Sequence, residues 1–522
     1  MDNQEKVMPI KKEGFAGLLL TSLLLAVITA GGQTGLPRSI PEKEGVSAAG
    51  ISSFIAAAAH SRTEFHSFML LRHGKVVSEA WWNPYAADLK HTLYSTSKSF
   101  TAAAVGFALT EHRLRLTDKV ISFFPDDLPR PVSPFLAELT VKDALMMADG
   151  QAPDPTPMVV VDSNWARKFL SVPIIFEPGT AFLYNSTGTY MLAAIVQKVT
   201  GETVLDYLRP RLFEPLGITG EDWETSPQGV NTGGWGLRLK TEDMAKFGQL
   251  YMQGGIWNGK QILPAAWIKE ATTTKILQDP GAPQSKKDSS DWLQGYCYQM
   301  WRCRHNGVRA DGAFGQFIIM LPDEDAVVAI TAETSDMQEE INLVWDYLLP
   351  ALHRGTLAPD PASDESLRKQ LAALALPPAT GGESYDANLF DGKSFTLDAN
   401  SKRMKAVAFR FRSDRLELAI TGDTAEYGIP FGYGHWTTGT TTRPGPNLLS
   451  GAVHHDVGLP AFHTAGSYQW VDSHTLKLIL RYIDSPHTET MTCTLDGRHL
   501  AIEDTNSFQN GKDAVNLQGT EK

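Results

Sequence analysis

The run from Ser99 to Leu109 is small and apolar on nearly every side, through Phe100, Ala102, Ala103, Ala104, Val105, Phe107 and Leu109. A helix that is apolar all round belongs inside a protein, so the chain must build a substantial core around this one segment. Directly before it stands Leu93-Tyr94-Ser95-Thr96-Ser97-Lys98, which sets a hydroxyl and an amine three residues apart. Residues at that offset share a helix face, so Lys98 can take the Ser95 proton without a histidine. The unpaired N–H groups and positive dipole end at a helix start favour developing negative charge, and the Ser95 N–H can help bind an oxyanion.

Context gives the offset its meaning. Ser366 and Lys369 repeat it in Asp364-Glu365-Ser366-Leu367-Arg368-Lys369-Gln370, a charged stretch that reads as a solvated helix face. Around Ser95 the pattern differs. His66–Arg72 and Val76–Trp82 read as a strand pair joined by His73-Gly74-Lys75. A turn from Glu177 to Thr187 delivers Tyr184 just before an apolar helix from Tyr190 to Val199. Asp311-Gly312-Ala313-Phe314-Gly315-Gln316 leads into a strand, Phe317–Leu321, and the turn at Pro322–Asp325 returns the chain through Ala326–Ile330. Helices are expected from Thr140 through Met147, from Thr241 toward Gln253, and from about Glu339 to Leu349, where Pro350 helps end the last.

These three segments, in this order, resemble the penicillin-recognising serine hydrolases: class C β-lactamases, DD-peptidases, family VIII esterases and 6-aminohexanoate-dimer hydrolases. Ser95-x-x-Lys98 stands first, Tyr184-Asn185-Ser186 at the Tyr-x-Asn position, and Ala313-Phe314-Gly315 at the Lys-Thr-Gly position. Gly234-Trp235-Gly236-Leu237 and Thr241–Gly248 look like the same family, and the resemblance covers roughly residues 40 to 355. It implies that Ser95 is acylated, that Lys98 activates it, and that Tyr184 orients or relays the proton toward the leaving group. It also implies an oxyanion hole from the backbone N–H groups of Ser95 and Gln316.

Two departures narrow the substrate. Ala313 replaces the lysine or histidine that helps hold a substrate carboxylate, and Asn185 precedes Ser186, so the amide side chain is displaced by one position. Losing both contacts removes charge-assisted recognition of an anionic ligand. Cleavage of a small ester, amide or peptide is the expectation, with Ser186, Asn185, Ala313, Phe314, Gly315 and Trp235 as substrate-binding residues. Phe314, Trp235 and the connections 151–171 and 278–292 are expected to shape an apolar acyl pocket. The competing readings are a DD-peptidase or β-lactamase, and a catalytically silent envelope-binding protein of the same fold.

The remaining features bound the class. With 522 residues, 42% hydrophobic and 20% charged, the chain can bury a large core. A net charge of -12 without a basic stripe argues against a nucleic-acid partner. No Gly-x-Ser-x-Gly elbow occurs, and no histidine pair has convincing metal-ligand spacing, so neither metal nor cofactor is implied. Three cysteines make no disulfide scaffold, and Cys297 and Cys303 read as buried thiols. Lys11-Lys12, the Leu/Ala-rich Gly14–Ala30 and Gly31-Gly32 describe a secretory signal, with an uncleaved membrane anchor as the alternative, so the protein is expected to be exported, periplasmic or secreted.

The fold class expected is α+β. Residues 1–31 form the signal or anchor, 36–355 a catalytic domain with an antiparallel sheet flanked by helices beside a helical lobe, and 356–382 a Pro/Ala-rich linker. Residues 383–522 show period-two alternation at Val407, Phe409 and Phe411 and at Leu476, Leu478 and Leu480, with Asp496-Gly497 joining a hairpin. They read as a C-terminal antiparallel β-domain, barrel-like and resembling the lipocalin-like accessory domains of such hydrolases. It serves either to cover the active-site mouth or to pack against the catalytic domain.

Overall fold

The strand Glu64–Arg72 turns at His73 and Gly74, both at positive φ, and pairs antiparallel with Lys75–Trp81. In this computed structural model, which describes residues 35–380, 385–413, 415–509 and 514–522, that hairpin joins a six-stranded sheet. The other strands are Trp301–Arg302, Val308–Gly312, Gln316–Leu321 and Ala326–Glu333, the last lying beside Glu64–Arg72. The segment read as a signal or anchor lies outside the described residues. Among those residues, no helix is long and apolar enough to cross a membrane.

Alternation sends successive side chains to opposite faces, and here both faces are covered. Phe68, Leu70, Phe317, Ile319, Val328 and Ile330 pack with Ile51, Phe54 and Ile55 of the helix Ala48–His60 and with Ile341 and Val344 near the end of the catalytic domain. Met69, Leu71, Ile318, Met320, Val327 and Ala329 join the larger core around the helix Ser97–Thr110. That helix is buried from Ser97 to Ala108, with the Phe100 ring stacked 4.0 Å from Phe247. Burying a large apolar side chain contributes roughly 1.5–3 kcal/mol, so this packing holds the Ser95 end of the helix firmly.

Two helix ends differ from expectation. The helix after Thr140, opened by a Thr140/Asp143 capping box, spans only Val141–Leu145, because Met147 takes a left-handed φ of 57°. The late helix begins at Met337, not Glu339, and after Leu343 widens into a looser turn, Val344–Leu348, before Leu349–Ala351. Within the segment read as a linker, the described residues 356–380 dock on the catalytic domain. Pro361–Ala372 is a helix whose Leu367 enters the sheet's core, Gln370 donates to the Ser52 carbonyl, and Leu376 N–H donates to Asn83. A stripe of leucines inside a charged, Pro-rich stretch hid that packing. Lys369 pairs with Glu365 on the solvent side, far from any serine nucleophile role.

The C-terminal strands close into a nine-stranded barrel formed by Ser394–Leu397, Ala406–Phe411, Arg415–Thr421, Glu426–Tyr433, Phe462–Asp472, Thr475–Tyr482, Thr488–Asp496, His499–Asn506 and Val515–Glu521. Its neighbours pair antiparallel except at the closure, where Gly432 and Tyr433 meet Ser467 and Tyr468 in parallel register. A further strand, Thr437–Thr441, pairs on the outside with residues 462–466. Leu418, Ile420, Leu476, Leu478, Leu480 and Leu500 fill the interior.

Candidate active site

Three partners surround the Lys98 amine. Its Nζ lies 2.9 Å from Ser95 Oγ, 3.1 Å from Ser186 Oγ and 2.6 Å from the Gly234 carbonyl. One helical turn brings Ser95 and Lys98 together, as their offset requires. Ser186 arrives as the first residue of the helix Ser186–Thr200, and Gly234 from a loop that approaches so closely that a Cβ would stand 2.5 Å from the Ser186 carbonyl. Tyr184 completes the cluster, with its ring 4.9 Å from Lys98 Nζ and stacked on Trp301 at 5.9 Å.

The nucleophile turn is pinned from beneath. Ser97 Oγ donates to the Tyr94 carbonyl and accepts from Leu237 N–H, while Thr96 Oγ1 donates to the Gln316 carbonyl. Gly312, ending the strand Val308–Gly312, lies so close that a Cβ there would be 2.2 Å from the Leu93 carbonyl. The main sheet thus sets the height of Ser95 above it.

Electrostatics separates the two proton-bearing groups. Burial strips water from the Lys98 ammonium and lowers its pKa to about 7, against the weaker opposing pull of Asp154 and Asp311. Burial raises the Tyr184 phenol above its ordinary value, opposed by a hydrogen bond with Ser95. Near neutral pH the amine is substantially neutral and the phenol keeps its proton.

Ser95, Tyr184 and Ser186 open onto a cleft of about 510 Å³, also lined by Tyr94, Asp154, Thr156, Pro157, Trp235, Trp292, Trp301, Asp311, Ala313, Leu448 and Leu449. Its acidic lining residues are Asp154 and Asp311, and among the described residues no lysine or arginine lines it. Asp311 is ion-paired at 2.8 Å with the buried Arg309, yet its own burial outweighs that pairing and raises its pKa.

Several residues expected at the site lie elsewhere. Asn185 is fully buried and caps its helix, accepting from Gly188 N–H and donating to Gln151, so its amide does not reach the cleft. Phe314 turns away toward the barrel, with its ring 4.8 Å from His487 and 5.5 Å from Phe508, so it is no part of the cleft wall. Gly315 sits over the buried Glu340 carboxylate. Gln316 is buried in the strand pair opposite Gly312, its side chain bonded to the Ala313 and Ala332 carbonyls, and the cleft is lined instead by Asp311 and Ala313, five and three residues earlier. The β-hairpin reverses at 313–315, so only its first half faces Ser95. Trp235 and Ala313 do line the cleft, and so do Asp154, Thr156, Pro157 and Trp292 from the two long connections.

Sequence reasoning missed Gly234 as a partner of Lys98, although it stood in a quoted Gly-Trp-Gly stretch. It also missed Leu448 and Leu449, which come from the barrel loop 442–461 and carry no local signal of a catalytic role. Glu224, His455 and Asp456 group together where that loop meets the catalytic domain. His455 uses its two nitrogens on different carboxylates, 3.3 Å from Glu224 and 2.9 Å from Asp456, which is how a buried imidazolium is held. Burial opposes its charge, but the two carboxylates prevail and raise its pKa to about 10. Cys297, Cys303 and Cys493 are free and buried.

The 6-aminohexanoate-dimer hydrolase of Paenarthrobacter ureafaciens is 25% identical over 282 residues, spanning 50% of this chain and 71% of that protein. The octameric penicillin-binding protein homologue of Pyrococcus abyssi aligns over 90% of this chain and 99% of its own at 16% identity and a TM-score of 0.46. A penicillin-binding protein homologue of Caulobacter crescentus aligns over 59% of this chain and 99% of its own, at 16% identity and a TM-score of 0.48. The family model described as Beta-lactamase matches residues 57–353. The chain therefore belongs to the β-lactamase family, the serine hydrolases of the β-lactamase and penicillin-binding-protein fold.

Proposed function

We propose that this protein is an exported hydrolase that cleaves an ester or amide bond of a small molecule or peptide through an acyl group on Ser95. The observation that carries this reading is the buried Lys98 amine, with a pKa lowered to about 7 and 2.9 Å from Ser95 Oγ. A neutral amine has two N–H bonds and one lone pair. Donation to the Gly234 carbonyl and to Ser186 leaves the lone pair for the Ser95 proton.

Ser95 Oγ attacks the carbonyl carbon as its proton passes to Lys98, and the carbonyl π pair moves onto oxygen. The Ser95 N–H is one donor to that oxyanion, and the second comes from the backbone of 311–313, which lines the cleft. Collapse expels the alcohol or amine, which takes a proton delivered from Lys98 through Tyr184, whose protonated phenol suits a donor. Water then attacks the acyl carbon, giving its proton to the same pair, and Ser95 leaves with a proton restored.

Asp154 in the cleft, with no lysine or arginine lining it among the described residues and with Asp311 already paired to Arg309, favours a neutral or cationic substrate over the carboxylates of β-lactams and of D-alanyl peptides. The relative from Paenarthrobacter ureafaciens is named for hydrolysis of a 6-aminohexanoate dimer, which keeps amides within the substrate class. The test is labelling by a fluorophosphonate probe and turnover of p-nitrophenyl esters, with Ser95→Ala as control. Labelling and turnover that vanish in Ser95→Ala support the acyl-serine. Neither above control would return the protein to a silent binding role, and rapid nitrocefin hydrolysis would favour a β-lactamase.

A further inference from the structure

Tyr94, the residue before the nucleophile, has a backbone φ of 46°. A bulky side chain in the left-handed region is disfavoured and persists only where its surroundings hold it. The holding groups come largely from the other half of the chain. The Tyr94 hydroxyl lies 2.5 Å from Nε2 of His487, and the N–H of Leu448 donates to the same hydroxyl at 3.4 Å. His487 stands between two barrel strands and is completely buried. Its Nδ1 lies 2.7 Å from Glu333, at the end of a main-sheet strand, and Glu333 also accepts from Ser507 Oγ at 2.7 Å. The ring is walled by Phe314 at 4.8 Å and Phe508 at 4.5 Å.

This chain is oriented throughout. With Glu333 accepting from Nδ1–H, Nε2 is left as an acceptor, and among the described residues the donor facing it is the Tyr94 phenol. Main sheet, barrel and nucleophile turn are thereby tied in a single line, Glu333 to His487 to Tyr94. The peptide on the far side of Tyr94 carries Ser95.

We propose that His487 is a positioning residue for Ser95, acting through Tyr94, so that the C-terminal barrel is part of the catalytic apparatus and not merely packed against it. This rests on the acyl-Ser95 reading above. Release of the Tyr94 hydroxyl lets its backbone relax toward ordinary φ and carries Ser95 Oγ off line. A misplacement of that kind slows the chemical step by about tenfold to a hundredfold while substrate binding is little changed.

The test uses the full chain with a p-nitrophenyl ester and a fluorophosphonate probe. Tyr94→Phe and His487→Leu are expected to lower kcat and the labelling rate by about tenfold or more, with KM within about twofold. His487→Gln, which keeps an acceptor near the Nε2 position, recovers most of that loss. The double variant Tyr94→Phe/His487→Leu is no slower than the worse single, because both cut one link. Independent, multiplicative losses in the double variant, or a raised KM at unchanged kcat, would overturn the proposal. Should His487→Leu fail to fold, Tyr94→Phe decides alone, and full kcat there overturns it. The two readings fail separately: turnover surviving in Ser95→Ala removes the acyl-serine, whereas turnover lost in Ser95→Ala but intact in Tyr94→Phe removes only the role of His487.

Discussion

The Gly234 carbonyl lies 2.6 Å from Lys98 Nζ, closer than either serine hydroxyl, and this contact decides which way the neutral amine points its lone pair. A lysine side chain has four rotatable bonds and would otherwise spread its nitrogen over several positions. Fixing one N–H on a backbone oxygen and a second on Ser186 reserves the remaining direction for Ser95. The arrangement also suits burial, since a charged ammonium would lose its water there for three neutral partners.

Activity should therefore rise with pH as Lys98 loses its proton. The kcat/KM of ester hydrolysis is expected to climb through about pH 7 and level off above it. Lys98→Met should lower kcat by about 10²–10⁴-fold yet raise the melting temperature. The sign follows from linkage. The folded state holds Lys98 at a pKa of about 7 against 10.5 unfolded, so between those values the unfolded chain binds more protons and stability grows with pH. The thermal gain of the methionine variant should be largest below pH 7 and shrink toward pH 10, as scanning calorimetry would read.

Ser186→Ala removes one of the two anchors that aim the amine. Because the lost contact touches Lys98 and not the body of the substrate, kcat should fall by about ten- to a hundredfold with KM little changed. Steady-state kinetics that show only a KM effect would assign Ser186 to substrate binding instead.

Charge on the acyl group should matter in one direction. Across p-nitrophenyl esters of matched length, a terminal carboxylate should give the lowest kcat/KM and a terminal ammonium or methyl the higher ones. The gap should narrow by several-fold at 1 M salt, where charges are screened within about 3 Å. Asp154→Asn should narrow the same gap at low salt, because Asp154 lines the cleft from a loop.

Gly312→Ala should disturb the site and the fold together. A Cβ there would meet the Leu93 carbonyl at 2.2 Å and Thr96 Oγ1 at 3.0 Å, so the nucleophile turn must lift off the sheet. A destabilisation of about 1–3 kcal/mol is expected from overpacking, with slower fluorophosphonate labelling in whatever protein remains folded. Denaturant titration and labelling rate would check the two parts.

Asp149 tests the opposite linkage. Its carboxylate is buried with no side-chain hydrogen-bond partner among the described residues, and burial pushes its pKa up to about 8 against the weaker pull of its own backbone N–H. Between the unfolded value of 3.8 and 8 the folded state binds more protons, so stability falls as pH rises across that interval. Asp149→Asn should be stabilised relative to the parent by an amount that grows from pH 4 to pH 8 and is constant beyond, as paired melting curves would show.

What could be read along the chain was local or periodic. The buried helix after Ser95 followed from an unbroken apolar run, the Ser95/Lys98 proximity from one turn of helix, and the barrel strands from period-two alternation closed by Asp496-Gly497. Each depends on neighbours within a few residues, where backbone geometry alone settles which side chains meet. Even so, the apparent linker misled, because its charged and Pro-rich composition masked the leucines that dock on the sheet.

Tertiary structure decided everything that depends on approach between distant segments. Gly234 reaches Lys98 across 136 positions and His487 reaches Tyr94 across 393, and no periodicity records such meetings. Asn185 and Ser186 are adjacent, yet one caps a helix and the other faces the amine, because a single residue's rotation at a helix start turns a side chain from cleft to core. Gln316 likewise fell behind the hairpin bend while Asp311 and Ala313 came to the cleft. Residue type and spacing determined which chemistry the chain can carry. Packing, through close backbone contacts and exclusion of water, determined which groups carry it and at what protonation state.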